Sequence, residues 1–354
     1  MRNSSVIQAA PGPNVYNGRS DAYVYRGIAK QAKGDLGGAI ADYTKAIELK
    51  PDNAVAYVNR GIAKQAKADP TGAIADSTKA IALKPDDAVP YVLRSAAKVA
   101  NGDLDGAIAD STKAIALRPD DEKAYVNRGA AKTLSGDPGG AIADFTEAIA
   151  LKPDDEEAYI NRGYAKRVKG DLDGAIADFT KVITLKPGNT EAYVNRGLAK
   201  GAKGDLDGAL ADTSKAIALK PGNAEAHLNR GVINLARGDS NVAFADFTKA
   251  IELNPKDAIG HYYLGLCYAN GEGVKKDAAE AVRMYRKAAG QYVAPAQWKL
   301  GLCYYEGEGV AKDAVEAYAW FSVAAKADSD AARSRSLLAR ELTPQQLKEA
   351  QART

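Results

Sequence analysis

AVAYVNRGIAKQAKADPTGAIADSTKAIALKPDD, residues 54–87, decides the fold, because variants of it recur every 34 residues, seven times between Ala22 and Asp257. Tyr23, Tyr57, Tyr91, Tyr125, Tyr159, Tyr193 and His227 share one register. Four residues later comes Gly27, Gly61, Gly129, Gly163, Gly197 or Gly231, with Ser95 the exception. Pro51, Pro85, Pro119, Pro153, Pro187, Pro221 and Pro255 close the repeats. A fixed period of this length predicts stacked helical hairpins, each touching mainly its neighbours. A length of 354 residues could otherwise hold two or three separate domains.

Within residues 54–87, Asn53 can cap a first helix running from about Ala54 to Lys67. The stop falls at Ala68, where other repeats have Gly34, Gly102, Gly136, Gly170, Gly204 and Gly238. Glycine suits the left-handed turn that ends a helix. Asp69 caps a second helix with Pro70 at its first position, and Pro85 stops it after Leu83. Ala73, Ile74, Ala80, Ile81 and Leu83 make an apolar stripe at helical spacing. Two short helices cannot bury such a stripe alone, so stacking is required.

Composition narrows the function. Net charge is +3 with 26% charged residues, and no five like charges run together. A nucleic-acid groove would need clustered basic residues interleaved with aromatics, so none is expected. No 18 apolar residues run together, so no membrane span is expected. Residues 1–21 read as a disordered segment without the apolar core of a secretory signal, which makes a cytoplasmic protein the default. Cys267 and Cys303 hold equivalent positions in two later repeats, too far apart for a disulfide, and read as small apolar fillers.

The 34-residue unit resembles the tetratricopeptide repeat, with the small residue of that pattern at Ala39, Ala73, Ala107, Ala141, Ala175, Ala209 and Ala243. The aromatic that follows stands at Tyr43, Phe145, Phe179 and Phe247. Ser77, Ser111 and Thr213 replace it elsewhere, and those repeats are expected to be looser. One departure is regular: Arg26, Arg60, Arg94, Arg128, Arg162, Arg196 and Arg230 replace the expected Leu. Every second helix carries an Asp: Asp42, Asp76, Asp110, Asp144, Asp178, Asp212 and Asp246. These rows predict an Arg–Asp ladder across each helix pair, the alternative being two independent solvated charge rows.

From Ala258 the period becomes 36. Leu264-Gly265-Leu266-Cys267-Tyr268 recurs at Leu300–Tyr304, and Gly271-Glu272-Gly273-Val274 at Gly307–Val310. This resembles Sel-like repeats over residues 258–329, a related helix-turn-helix solenoid with a longer glycine-bearing loop. Neither Gly-x-Gly loop follows a strand or extends to a phosphate-binding fingerprint, so turn geometry accounts for them. Residues 330–354 read as a helical cap, with Thr343-Pro344-Gln345-Gln346 offering a capping box. His227 and His261 fall where other repeats place Tyr and lack the further ligands a metal would need. No nucleophile elbow, zinc-binding His-Glu-x-x-His or Walker sequence occurs, so neither catalysis nor a cofactor is expected.

The resemblance implies an all-α, right-handed α-solenoid whose first helices line a concave groove. Val58, Val126, Ile160 and Val194 form one apolar row, and Tyr164 lies four residues beyond Ile160 on the same helix face. Asn59, Asn127, Asn161, Asn195 and Asn229 lie beside that row, interrupted by Tyr25 and Leu93. An Asn amide can bond an extended peptide's backbone without reading its side chains, as in asparagine ladders of other superhelical peptide binders. The implied function is noncatalytic binding of a protein or peptide partner. The alternatives are a Sel-like-repeat enzyme of the β-lactam-binding hydrolase type, and a self-associating assembly protein.

Overall fold

The computed structural model describes residues 18–354. The expected disordered segment lies outside them except for residues 18–21, of which Arg19–Asp21 already belong to the first helix. Among the described residues there are twenty helices and no strand. No described helix is long and apolar enough to cross a membrane. The described residues divide into two compact bodies, one ending at Leu185 and the other beginning at Lys186.

The first body stacks five helix pairs: α1 (Arg19–Ala32) with α2 (Leu36–Leu49), α3 (Ala54–Ala66) with α4 (Pro70–Leu83), α5 (Ala88–Ala100) with α6 (Leu104–Leu117), α7 (Glu122–Leu134) with α8 (Pro138–Leu151), and α9 (Glu156–Lys169) with α10 (Leu172–Leu185). Each second helix also packs on the next first helix, and successive first helices touch. The second body has α11 (Thr190–Ala202) with α12 (Leu206–Leu219), and α13 (Ala224–Arg237) with α14 (Ser240–Leu253). The 36-residue repeats follow as α15 (Ala258–Asn270) with α16 (Ala278–Ala289), and α17 (Ala294–Glu306) with α18 (Ala314–Ala324). Two short helices, α19 (Ser329–Leu338) and α20 (Pro344–Ala352), pack on α18. Each body is thus an α-solenoid.

Local chemistry places the helix ends where the sequence reading put them. The Asp69 side chain accepts from the Gly72 backbone N–H, with Pro70 in the first turn. Gly34, Gly102, Gly136 and Gly170 turn the chain with positive φ, and Ala68 takes the same turn at φ 59°. A β-carbon makes that conformation costly. Replacing Ala68 by Gly should therefore raise stability by about 0.5–1 kcal/mol, the relief exceeding glycine's entropic cost. A urea midpoint unchanged or lowered in the variant would refute this.

The core is built on close approach. All seven alanines of the repeat pattern are fully buried. Opposite them, the register glycine makes room for the aromatic: a β-carbon at Gly129 would lie 2.8 Å from the Phe145 ring, and one at Gly27 would lie 2.5 Å from Tyr43. In two of the three repeats that lack the aromatic, other groups stand in its place. Leu93, standing where five other repeats have Asn, reaches to 2.9 Å from the would-be Gly61 β-carbon, filling the space beside Ser77. In the next repeat the glycine itself becomes Ser95, whose hydroxyl lies 2.5 Å from that of Ser111. The Ser95 hydroxyl also donates to the Ala107 carbonyl on the second helix, so Ser111 donates to Ser95.

In the 36-residue repeats, Gly271 and Gly307 end α15 and α17 at φ 78° and 80°. Gly273 and Gly309 press against the backbone carbonyls of Ser240 and Ala278, where no β-carbon fits. The Gly-x-Gly loops are therefore docking turns onto the preceding helix pair. At the end of the array the Thr343–Gln346 capping box is formed, and Leu338 and Ala350 are buried beside Phe321.

Candidate binding surface

The first helices are held in rotation by an ion-pair ladder. In each 34-residue repeat the register Arg donates through Nε and Nη2 to both oxygens of its Asp. For Arg128 and Asp144 the distances are 3.0 and 2.6 Å. This fork geometry is the strongest arrangement an Arg and a carboxylate can take. The Asp residues are buried, so the ladder is no pair of solvated charge rows. Sequence reasoning missed two further members. Lys132 Nζ lies 2.8 Å from the same Asp144, and five other repeats repeat that contact. Nη1 of Arg60, Arg94, Arg128 and Arg162 donates to a Thr of the preceding repeat, Thr44, Thr78, Thr112 and Thr146. The guanidinium also lies over the Tyr three residues before it, at 5.7 Å for Arg128 and Tyr125.

In the first repeat the hydrogen bond from Arg26, helped by Lys30 and opposed by burial, holds the Asp42 carboxyl at about 2, below its ordinary 3.8. A folded-state pKa below the unfolded one gives stability that is present above pH 3.8 and is lost as the pH falls toward 2. The urea midpoint should fall through that window in the wild type, and Asp42→Asn should flatten the fall. An equal fall in both proteins would show that Asp42 contributes nothing.

The seventh repeat varies the theme. Asn234 replaces the Lys, and its Nδ2 lies 3.4 Å from Asp246. His227 Nδ1 sits 3.3 Å from Asp246, while its Nε2 meets the Pro221 carbonyl at 3.1 Å. Tyr91 makes the corresponding bond to Pro85, so His227 fills the tyrosine site. His261 does the same against Pro255. Among the described residues no three His, Cys, Asp or Glu side chains gather where they could hold a metal ion. Both cysteines are free thiols, pushed up to about 11 by burial.

The rows chosen from the sequence divide on this scaffold. In the first body Val126 is buried with Phe145 and Ala158, so it belongs to the core. Val194, in the second body, is buried with Ala216 and Ala226. Val58 and Ile160 are half-buried, and Tyr164 is exposed. Asn59 is buried, its Nδ2 donating to the Val55 carbonyl at 3.0 Å. Asn127 and Asn161 are half-buried; Asn127 Nδ2 donates to the Val92 carbonyl of the preceding repeat. Asn195 and Asn229, in the second body, are also half-buried. Asn195 Nδ2 donates to Glu191, whereas the enclosed Asn229 Nδ2 has no partner. Two exposed residues of the first helices, Leu134 and Val168, were not singled out. Their signal was a large aliphatic in a register that holds Ala in the other five repeats.

A TPR repeat model matches residues 27–67, and a Tetratricopeptide repeat model matches residues 135–190 and 194–258. A Sel1 repeat model matches residues 258–292 and 294–329. No curated protein matches the chain. Among solved structures, a tetratricopeptide repeat protein from Parabacteroides merdae is similar with a TM-score of 0.56 and 20% identity, over 70% of this chain and 99% of its own. A protective antigen of uropathogenic Escherichia coli displaying an SLR fold gives 0.54 and 20% identity, over 94% of this chain and 83% of its own. PilW, a type IV pilus biogenesis factor, gives 0.56 and 20% identity, over 59% and 97%. At these identities the likeness is one of fold.

Proposed function

We propose, from the premise that this chain is a tetratricopeptide-repeat protein ending in two Sel1 repeats, that it is a noncatalytic scaffold binding an extended peptide or a partner helix along its first helices. The observation that carries this reading is the state of the Asn row. Asn127, in the first body, spends Nδ2 on the Val92 carbonyl, and among the described residues its amide oxygen shows no hydrogen bond. A half-buried Asn with a spare acceptor can receive a backbone N–H from an extended segment. Val58, Ile160 and Tyr164 supply the apolar surface beside them. Affinity would depend on a few such contacts rather than on area alone.

Affinity capture with the full chain tests this, set against a variant carrying Asn127→Ala, Asn161→Ala and Asn195→Ala. Circular dichroism should match between the two while partner recovery falls at least tenfold. Equal recovery would remove the Asn row from the binding surface. Turnover of nitrocefin by the purified protein would defeat the noncatalytic part of the reading.

A further inference from the structure

Building on the binding surface proposed above, we infer that its anchor lies in the fourth and fifth repeats, where Leu134, Tyr164, Val168 and Arg167 are built to take a large apolar side chain flanked by a carboxylate. The register of Leu134 and Val168 is otherwise occupied by Ala32, Ala66, Ala100, Ala202 and Ala236. Leu134 is 63% exposed, Val168 54% and Tyr164 43%. Tyr164 and Val168 stand at i, i+4 on α9 and share a face. Leu134 holds the matching position on α7, which packs against α9. Three large apolar residues are thus exposed on two touching helices, two of them, Leu134 and Val168, where alanine satisfies the fold elsewhere. Such a cluster adds nothing to the core and marks a contact surface.

Charge specifies the partner. Arg167 is the only cation in its register, which elsewhere holds Gln31, Gln65, Val99, Thr133, Gly201 and Leu235. Its guanidinium carbon lies 5.1 Å from the centre of the Tyr164 ring, and its Nε is buried without a hydrogen-bond partner. The exposed Lys169 adds a second positive charge two residues on. The next carboxylate along the chain, Asp171, accepts from the Gly174 N–H as a helix cap. A half-buried guanidinium beside an aromatic ring, with one donor unpaired, favours an arriving carboxylate. The fitting partner segment carries Leu or Phe next to Asp or Glu.

An array of immobilised 12-residue peptides, each with one central Leu or Phe flanked by paired Glu, Gln or Lys, tests this with the full chain as the probe. Glu-flanked peptides should retain at least tenfold more protein than Gln-flanked ones, and Lys-flanked peptides the least. Leu134→Ser with Val168→Ser should abolish retention, and Arg167→Gln should equalise Glu and Gln flanks, with circular dichroism unchanged. Equal retention on Glu and Lys peptides, or retention untouched by the Leu134 and Val168 changes, would overturn the anchor. Retention lost only in the triple Asn variant would overturn the anchor and leave the Asn-row reading standing. No retention on any peptide would also overturn the anchor, while the capture experiment judges the binding surface separately.

Discussion

Replacing Asp144 by Asn should lower the stability of the first body by about 3 kcal/mol, the range seen when one member of a buried ion pair is removed. Two groups lose their partner at once. Arg128 loses the charge behind its two-pronged bond, and Lys132 loses the anion 2.8 Å from its Nζ. The Asn amide can accept one hydrogen bond but would present an N–H₂ group toward one of the two cations. The measurement is urea unfolding of the wild type and the variant, followed by circular dichroism. A midpoint displaced by less than an equivalent of about 1 kcal/mol would place the pair among the weak surface bridges instead. A companion variant separates charge from register. With Arg128→Met, Lys132→Met and Asp144→Leu combined, stability should recover most of the loss, because an apolar replacement of a whole buried ion group is commonly neutral or better.

Phe145→Ala should cost about 3–5 kcal/mol, since the ring is fully buried in the cluster with Val126, Ala148 and Ala165. Its counterpart, Gly129→Ala, should cost about 1–3 kcal/mol because the new methyl would stand 2.8 Å from that ring. The two changes should not add. In the Phe145→Ala background the ring is gone, and the methyl of Gly129→Ala enters vacated space in the middle of a helix that favours alanine. The double variant should therefore unfold at higher urea than Phe145→Ala alone. If it unfolds lower, the glycine is needed for something other than room for the ring.

Much of this architecture can be read from one repeat. The caps, the Ala68 turn and the Arg–Asp ladder follow from residue types at fixed offsets within 34 positions. Local spacing specifies them because each partner lies on the same helix pair. What could not be read involves helix rotation and neighbours. A single register puts Val58, Val126, Ile160 and Val194 on one helix face but does not say how deep that face sits, and two of the four are buried. The Asn row suffered similarly: an amide drawn as an outward clamp can turn back on a carbonyl of its own helix, as Asn59 and Asn195 do. Leu93 was read only as an interruption of the Asn row. Its role depends on Ser77, sixteen residues away in the preceding repeat, and no periodic comparison pairs those two positions.

The fit between Leu93 and Gly61 restricts how an array like this can change length. A cut-and-rejoin event that deleted residues 54–87 would keep phase and would set Arg94 beside Thr44, an acceptable hydrogen-bonding match. It would also thrust the Leu93 side chain toward Gly27, where the Tyr43 ring already occupies the space. The second and third modules are therefore inherited as a couple, and neither can be spliced out without its mate.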